Sequence, residues 1–274
     1  MEVTDPQPEV VVRASALGLR TKSGVHFADL DFEVRRGELF VITGPARSGK
    51  TALSLAIAGR LRTTEGALDV LGHALPREAG SVRRSVAITG NSTVTPLDDN
   101  LSVRQHIAEA ITLAGPWWHP WTSAARVSAV VDRVNDVIVA TGSGADEAER
   151  LTPLRPDELV ADVGPLPRLV LSIVLALLTR PRVLVVDDVD ALREYGDRRL
   201  AWHALATLQD ADLTVIATSE NTPELREARR VGVFDELPDD SSFRRTLVEY
   251  PLVPERAAAR DARPTPTTAT RKGL

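Results

Sequence analysis

The chain has 274 residues, of which 43% are hydrophobic and 26% are charged, a composition typical of a folded globular protein. Its 33 basic and 38 acidic residues leave a formal charge of −5, which argues against a non-specific nucleic-acid binder. The absence of cysteine excludes disulfide scaffolds, thiolate metal sites and cysteine nucleophiles. The longest nearly unbroken apolar run, the ten residues 169–178 with Ser172 among them, is about half as long as the roughly 20 residues of a spanning helix. It predicts a buried helix instead.

Strand and helix patterns alternate along most of the chain. The predicted strands begin at residue 10 and then cover residues 25–34, 39–43, 66–70, 86–89, 183–186, 213–217 and 231–234. A helical face formed by Leu53, Ala56, Ile57 and Leu61 follows the third strand, and residues 198–208 predict a later helix. Between residues 101 and 178 the pattern is helical but broken by prolines. This order predicts a parallel sheet covered by helices, with a helical insert.

A phosphate-binding loop is predicted between the third strand and its helix. The segment matches the pattern GxxxxGK[ST] and consists of Gly44, Pro45, Ala46, Arg47, Ser48, Gly49, Lys50 and Thr51. In such a loop, backbone N–H groups and the helix N-terminus surround a triphosphate. We expect Lys50 to reach the β and γ oxygens and Thr51 to ligate Mg²⁺. The alternative is a glycine-containing turn that merely precedes a helix.

An acidic strand end supplies the second expected part of a phosphate site. Residues 183–186 form an apolar run that is followed by Asp187 and Asp188. Because the carboxyl ends of buried parallel strands open onto the ligand crevice, we expect Asp187 to hold the metal ion. Asp188 would lie beside the γ-phosphate, where a general base orients water. The alternative is a core strand followed by an acidic turn.

Together these segments resemble the ATP-binding subunits of ATP-binding cassette (ABC) transporters. The likeness runs from about residue 10 to residue 237. It includes residues 32–39 before the loop, the hairpin-like segment 64–73, the helix start 101–104 and the approach to the acidic strand at 177–184. The resemblance implies an ABC-type P-loop fold with a mostly parallel sheet, an antiparallel β-subdomain and a helical insert subdomain. It also implies ATP and Mg²⁺ as ligands.

The sequence departs from the family pattern at the positions that carry catalysis. The resemblance places the γ-phosphate-sensing glutamine at Asn91, the catalytic glutamate at Asp188 and the switch histidine at Ser219. The signature segment falls on residues 164–168, which contain two prolines and no glycine pair. No aromatic residue stands near residues 21–23, where the family stacks adenine; His26 and Phe27 are the candidate substitutes. We therefore expect ATP binding with weak or partner-dependent hydrolysis.

The domain boundaries follow from composition and from the resemblance. We expect a flexible N-terminus at residues 1–9, an ATP-binding domain at residues 10–250 with a helical subdomain near 97–180, and a disordered tail at 255–274. The arginine-bearing tail is either a solvated end or an attachment to anionic lipid or a partner. We find no signal peptide, so the expected location is the cytoplasm, at the inner face of the membrane through a partner.

Partners and alternatives also follow at this stage. The resemblance implies a membrane-spanning transporter subunit and a second ATP-binding subunit, identical or different. The second hypothesis is an ATP-binding regulatory or scaffold protein without a transport role. The third is a P-loop kinase or GTPase, but the sequence contains neither the arginine-bearing acceptor lid of a kinase nor the guanine-reading motif of a GTPase. Trp117, Trp118 and Trp121 lie in the helical insert, where they form either an exposed docking site or a local core.

Overall fold

Two β-sheets carry the fold in a computed structural model of the chain. The structure describes residues 9–22, 24–90, 96–115, 118, 121–141, 151–208, 212–220 and 245–249. The strands are β1 (Val10–Thr21), β2 (Gly24–Arg35), β3 (Leu39–Thr43), β4 (Glu65–Val70), β5 (His73–Leu75), β6 (Val86–Thr89), β7 (Val183–Val186), β8 (Thr214–Ser219) and β9 (Arg245–Glu249). The helices are α1 (Lys50–Ile57), α2 (Ala79–Ser85), α3 (Val103–Ala114), α4 (Ala124–Thr141), α5 (Pro165–Leu177) and α6 (Tyr195–Leu208).

One sheet is entirely parallel and has the strand order β6-β7-β8-β3-β9. Both of its faces are buried, as its continuous apolar strands predict. Leu39 and Val41 of β3 belong to one apolar cluster, whereas Phe40 and Ile42 belong to the other. The period of two along the strand therefore divides the core into two layers.

The antiparallel sheet covers one of these faces together with α1 and α2. Its strand order is β2-β1-β4-β5. Phe32 of β2 stacks on Phe40 of β3 with ring centroids 5.4 Å apart, which joins the two sheets directly. The predicted α/β fold, with a parallel sheet, an antiparallel β-subdomain and helices, is confirmed.

Helices α3 to α6 cover the other face of the parallel sheet. Helix α3 begins at a capping box in which Ser102 and Gln105 satisfy each other's backbone N–H groups, as the predicted helix start at 101–104 requires. The apolar run at residues 169–178 lies largely within α5, where Val170, Leu171, Ile173 and Val174 are buried. Among the residues described, no helix is both long and apolar enough to cross a membrane. The subdomain limits near residues 97 and 180 stay a prediction.

Several predicted boundaries were wrong by a few residues. Helix α1 ends at Ile57, and Gly59 turns the chain with a φ of +65°, so Leu61 packs from the following turn and not from the helix. Helix α6 begins at residue 195, and β8 continues to Ser219. The predicted strand at 231–234 lies outside the described residues, whereas β9, parallel to β3, was not predicted.

Substitution of two glycines with positive φ, one packed against Asp187 and one in open space, tests how closely the backbone packs beside the predicted site. Gly90 follows β6 with a φ of +90°, and a Cβ there would lie 2.3 Å from the carbonyl oxygen of Asp187. Gly72 has a φ of +78° but nothing within 4 Å of its Cβ position. We expect Gly72→Ala to lower the free energy of unfolding by about 1 kcal/mol, the cost of positive φ. Gly90→Ala should lower it by about 2–4 kcal/mol because a steric clash is added.

Urea unfolding of the two variants measures the difference between their free energies of unfolding, provided that the m-values of the two variants are equal. Equal losses in the two variants would contradict the close approach of Gly90 to Asp187.

Candidate phosphate-binding site

The predicted loop connects the carboxyl end of β3 to the first turn of α1. Gly44 N–H donates to the carbonyl oxygen of Ser219, at the end of neighbouring β8. Gly49 caps α1 with a φ of +94°, and a Cβ on it would lie 2.4 Å from the carbonyl oxygen of His26. The loop therefore needs glycine here for two reasons, its backbone conformation and its contact with β2.

The Lys50 ammonium lies across the loop. Its Nζ donates to the carbonyl oxygens of Gly44 at 2.7 Å and Pro45 at 2.9 Å. These two hydrogen bonds hold the Lys50 ammonium group against the backbone of the loop. This arrangement gives the site one fixed cation together with backbone amide donors at a helix N-terminus.

Two further loop residues have unusual environments. Ser48 Oγ is buried and has no hydrogen-bond partner among the described residues, although buried hydroxyls are normally paired. Arg47 is exposed and has a φ of +64°, a conformation that is uncommon for a residue other than glycine, asparagine or aspartate. An unpaired hydroxyl, an ammonium and backbone amides form a donor set that fits a phosphate anion.

Asp187 lies at the carboxyl end of β7 and is fully buried. Its Oδ1 accepts hydrogen bonds from Ser54 Oγ of α1 at 3.2 Å and from Thr218 Oγ1 of β8 at 2.7 Å. Ser54 comes one turn after Thr51, which is exposed on the first turn of α1. The predicted metal ligands Thr51 and Asp187 therefore belong to elements that the Ser54 contact ties together, and a hydroxyl with a carboxylate suits Mg²⁺.

Asp188, the predicted catalytic carboxylate, follows with a φ of +62°. Its backbone N–H donates to Thr218 Oγ1 at 2.8 Å, so one threonine hydroxyl serves both aspartates. Burial raises the pKa of the Asp188 carboxyl, and the charges of Asp187, Asp190 and Glu220 raise it further, while Lys50 lowers it. The carboxylate thus lies in an acidic surrounding with Lys50 as its counter-charge.

Ser219, the predicted switch position, is buried at the end of β8. Its Oγ donates to Asp190 Oδ1 at 3.1 Å. The backbone N–H of Glu220 donates to the other carboxylate oxygen of Asp190. The Ser219 hydroxyl is therefore engaged by the turn that follows Asp188. Asn91, the third predicted catalytic position, lies outside the described residues.

The segment at residues 164–168, which the sequence analysis predicted to replace the family signature, forms the start of α5. Gly164 is the N-cap and Pro165 begins the helix, a favourable place for proline because its missing N–H has no helical partner there. The Arg168 guanidinium pairs with Asp99 at 2.6 Å and donates to the carbonyl oxygens of Leu97 and Val160. These contacts hold the segment against the chain that leads into α3.

Ser54, Thr218 and Asp190 are site residues that the sequence reasoning missed. For Ser54 and Thr218, a hydroxyl residue within an otherwise apolar pattern was the feature that could have identified them. Ser54 stands on the apolar face of α1 beside Leu53, and Thr218 stands in the apolar run of β8. A buried hydroxyl in such a place requires a hydrogen-bond partner, and here that partner is Asp187.

Comparison with known sequences gives a family match. The sequence profile of the family described as ABC transporter matches residues 27–191. The chain is 26% identical over 231 residues to the daunorubicin/doxorubicin resistance ATP-binding protein DrrA of Streptomyces peucetius, covering 84% of this chain and 64% of that protein. It is 27% identical over 203 residues to the Nod factor export ATP-binding protein I of Cupriavidus pinatubonensis, covering 74% and 55%. The chain thus spans less than two thirds of either relative.

Solved structures show the same fold at lower sequence identity. A dimeric bacterial ABC transporter cassette superposes with a TM-score of 0.61 at 15% identity, covering 78% of this chain and 90% of that chain. The cbiO1 protein of Clostridium perfringens, part of the ABC transporter complex cbiONQ, superposes with a TM-score of 0.58 at 17% identity, covering 77% and 78%.

The acidic surrounding of Asp188 predicts a stability that depends on pH. Because its pKa is raised in the folded chain, the carboxyl favours folding below the ordinary pKa of aspartate and disfavours it as the pH rises through the folded pKa. Asp188→Asn should therefore raise Tm at pH 7.5 more than at pH 4. Any gain in Tm that remains at acidic pH, where the Asp188 carboxyl is protonated, is due to the better fit of asparagine to a positive φ.

Thermal unfolding across pH 4–8 tests this prediction, with Asp132→Asn on the exposed face of α4 as the matched control. A gain of equal size at every pH would show that charge repulsion at Asp188 does not affect stability.

Proposed function

Because the chain belongs to the ABC transporter family, we propose that it is the ATP-binding subunit of an ABC-type transport complex. The observation that carries this proposal is the loop that closes around Lys50 beside the buried Asp187. Export is the direction that the relatives' names support, since they are a drug-resistance protein and a Nod factor export protein. The cargo itself is a separate question.

The loop residues hold the nucleotide in this proposal. The backbone amides of residues 44–51 and the Lys50 ammonium bind the phosphates, and the orphaned Ser48 hydroxyl supplies a further donor. Thr51 and Asp187 hold Mg²⁺, which neutralises phosphate charge when bound. The backbone carbonyl of His26 and the ring of Phe27 lie 2.4 and 3.3 Å from the position that a Cβ on Gly49 would take, and both residues are candidate neighbours of the base.

We infer that hydrolysis by this chain alone is weak. Phosphoryl transfer requires an oriented water and compensation of the developing charge. Asp188 and Asn91 are each one methylene shorter than the family's glutamate and glutamine. Ser219 has no positive charge, and its hydroxyl already donates to Asp190. In this proposal, Asp188 and Asn91 are too short to reach the positions of the family's glutamate and glutamine side-chain groups, and Ser219 does not supply the charge of its histidine.

A second cassette completes the site in this proposal. In the family, ATP lies between the loop of one subunit and the signature segment of another. Pro165 and Pro167 in the first turn of α5 offer no backbone N–H, and Arg168 is held by Asp99. A partner with an intact signature would therefore complete this loop better than a second copy of the chain.

A membrane-spanning subunit is the other proposed partner, and it would keep the cassette at the inner face of the membrane. A cleft of about 660 Å³ lies between α2, β6, α3 and α5. Its lining includes Arg60, Arg83 and Arg84 as well as Glu109 and Leu113. Burial, and then the charge of Arg83, lower the pKa of Arg60. An amphipathic segment with acidic residues would fit this cleft because it relieves the repulsion between the arginines.

Substitution of Lys50 tests nucleotide binding. Lys50→Ala should weaken binding of a fluorescent ATP analogue with Mg²⁺ by about tenfold or more, because a charged hydrogen bond to phosphate contributes about 1.5–3 kcal/mol. Arg133→Ala, which removes an exposed positive charge from α4, is the matched control and should bind as the unsubstituted chain does. Unchanged affinity in Lys50→Ala would refute the assignment of the loop.

Steady-state phosphate release tests the proposed weak hydrolysis. The purified chain with Mg-ATP should release phosphate no faster than Lys50→Ala does, because Asp188, Asn91 and Ser219 lack the reach or charge for the reaction. Turnover of about 1 s⁻¹ or more, within the range of ordinary enzymes, that disappears in Lys50→Ala would overturn this inference and leave nucleotide binding intact.

A further inference from the structure

Large apolar side chains are exposed where α3 ends and α4 begins. Leu113, Trp118 and Trp121 are 79%, 70% and 81% exposed, the highest values among the large hydrophobic residues that the structure describes. We call this surface, together with Arg126, the tryptophan tip. Trp117 lies outside the described residues. Exposure of this extent means that Trp118 and Trp121 do not form a local core.

The tip is held by ordered structure on both sides. Thr112 Oγ1 donates to the carbonyl oxygen of Ala108 and lies 3.3 Å from Thr122 Oγ1, which links the end of α3 to the chain before α4. Ile111 and Val127, one on each helix, are buried beneath it. The helix ends on either side of the tip are therefore joined by a direct contact.

The charge pattern around the tip is unusual for this chain. From residue 110 to residue 131 the sequence contains no Asp or Glu, although 38 of the 274 residues are acidic. Arg126 is the one Lys or Arg of that stretch, and it is exposed on the first turns of α4. A segment without carboxylates adds no negative charge of its own to repel an anionic surface.

The tip adjoins the proposed cleft through Leu113. Leu113 lines that cleft, but Trp118 and Trp121 do not, so the indoles lie next to the cleft and remain outside it. A tryptophan side chain has an apolar body and one N–H donor, and this combination favours the interface between lipid headgroups and acyl chains. The bilayer surface fits the tip better than a second protein groove does.

We propose that the tryptophan tip binds the headgroup region of an anionic lipid bilayer through the indoles of Trp118 and Trp121. This contact is separate from the nucleotide site and from the partner subunits. It would orient the cassette against the membrane surface with the cleft beside the bilayer. Arg126 adds electrostatic attraction to the anionic lipids.

Vesicle binding by the full chain tests the proposal. Vesicles of 70% phosphatidylcholine and 30% phosphatidylglycerol should bind the chain in sedimentation, and the tryptophan emission should shift to the blue. Brominated lipids should quench that emission only in part, because Trp202 is 1% exposed and serves as an internal buried reference. Binding should decrease at high salt and in vesicles of phosphatidylcholine alone.

Substitutions identify the residues responsible. Trp118→Ala and Trp121→Ala should each weaken vesicle binding by about tenfold, since each removes much of an indole's apolar area from the interface. Val139→Ala, at another exposed apolar position on α4, is the matched control and should bind as the unsubstituted chain does. Lys50→Ala should also bind vesicles normally, which separates this proposal from nucleotide binding.

Two results would overturn the proposal. One is the absence of vesicle binding by the unsubstituted chain at any phosphatidylglycerol content, which would leave a protein partner as the occupant of the tip. The other is full binding by the double variant Trp118→Ala/Trp121→Ala, which would assign the contact to another part of the chain. Circular dichroism of each variant confirms that the fold is retained.

Discussion

The buried carboxylate of Asp187 joins the elements on which the rest of the site depends. It accepts hydrogen bonds from Ser54 of α1 and Thr218 of β8 while standing at the end of β7. A buried carboxylate is costly unless it is hydrogen-bonded, so these partners stabilise the folded chain. The same contacts bring the helix that begins at Lys50 to the acidic end of the sheet. Stability and ligand geometry therefore rest on one group.

The charges at this edge explain why a binding site need not be an efficient catalytic site. Lys50 lies across its loop and acts as counter-charge for Asp188, whereas Asp187, Asp190 and Glu220 all oppose ionisation of that carboxyl. Mg²⁺ and phosphate charge would change this balance when they bind. Ser219, however, is engaged with Asp190. In the proposed function, the site therefore binds phosphate strongly but has weak means of moving a proton or orienting water.

The helical face of the parallel sheet has a different role from the loop. Its interior is apolar. At the β6 edge of the sheet, where this face meets α2, a cleft is lined by three arginines and by Leu113 of the tryptophan tip. Arg168 links the start of α5 to the chain before α3 through Asp99. The Arg168–Asp99 ion pair would therefore couple a movement of α5 to the chain before α3. The proposed partner and membrane contacts lie at this edge.

The sequence alone predicted the parallel sheet, the loop and the acidic strand end, because a continuous apolar strand and the GxxxxGK[ST] spacing are local patterns. It did not predict β9, whose five residues form a strand by pairing with β3, distant in sequence. Nor did it predict that Ser54 and Thr218 share Asp187, or that Ser219 donates to Asp190. Those hydrogen bonds join residues 29 to 133 positions apart. Only the tertiary structure decides them, since a hydroxyl finds its partner through the packing of separate strands and helices.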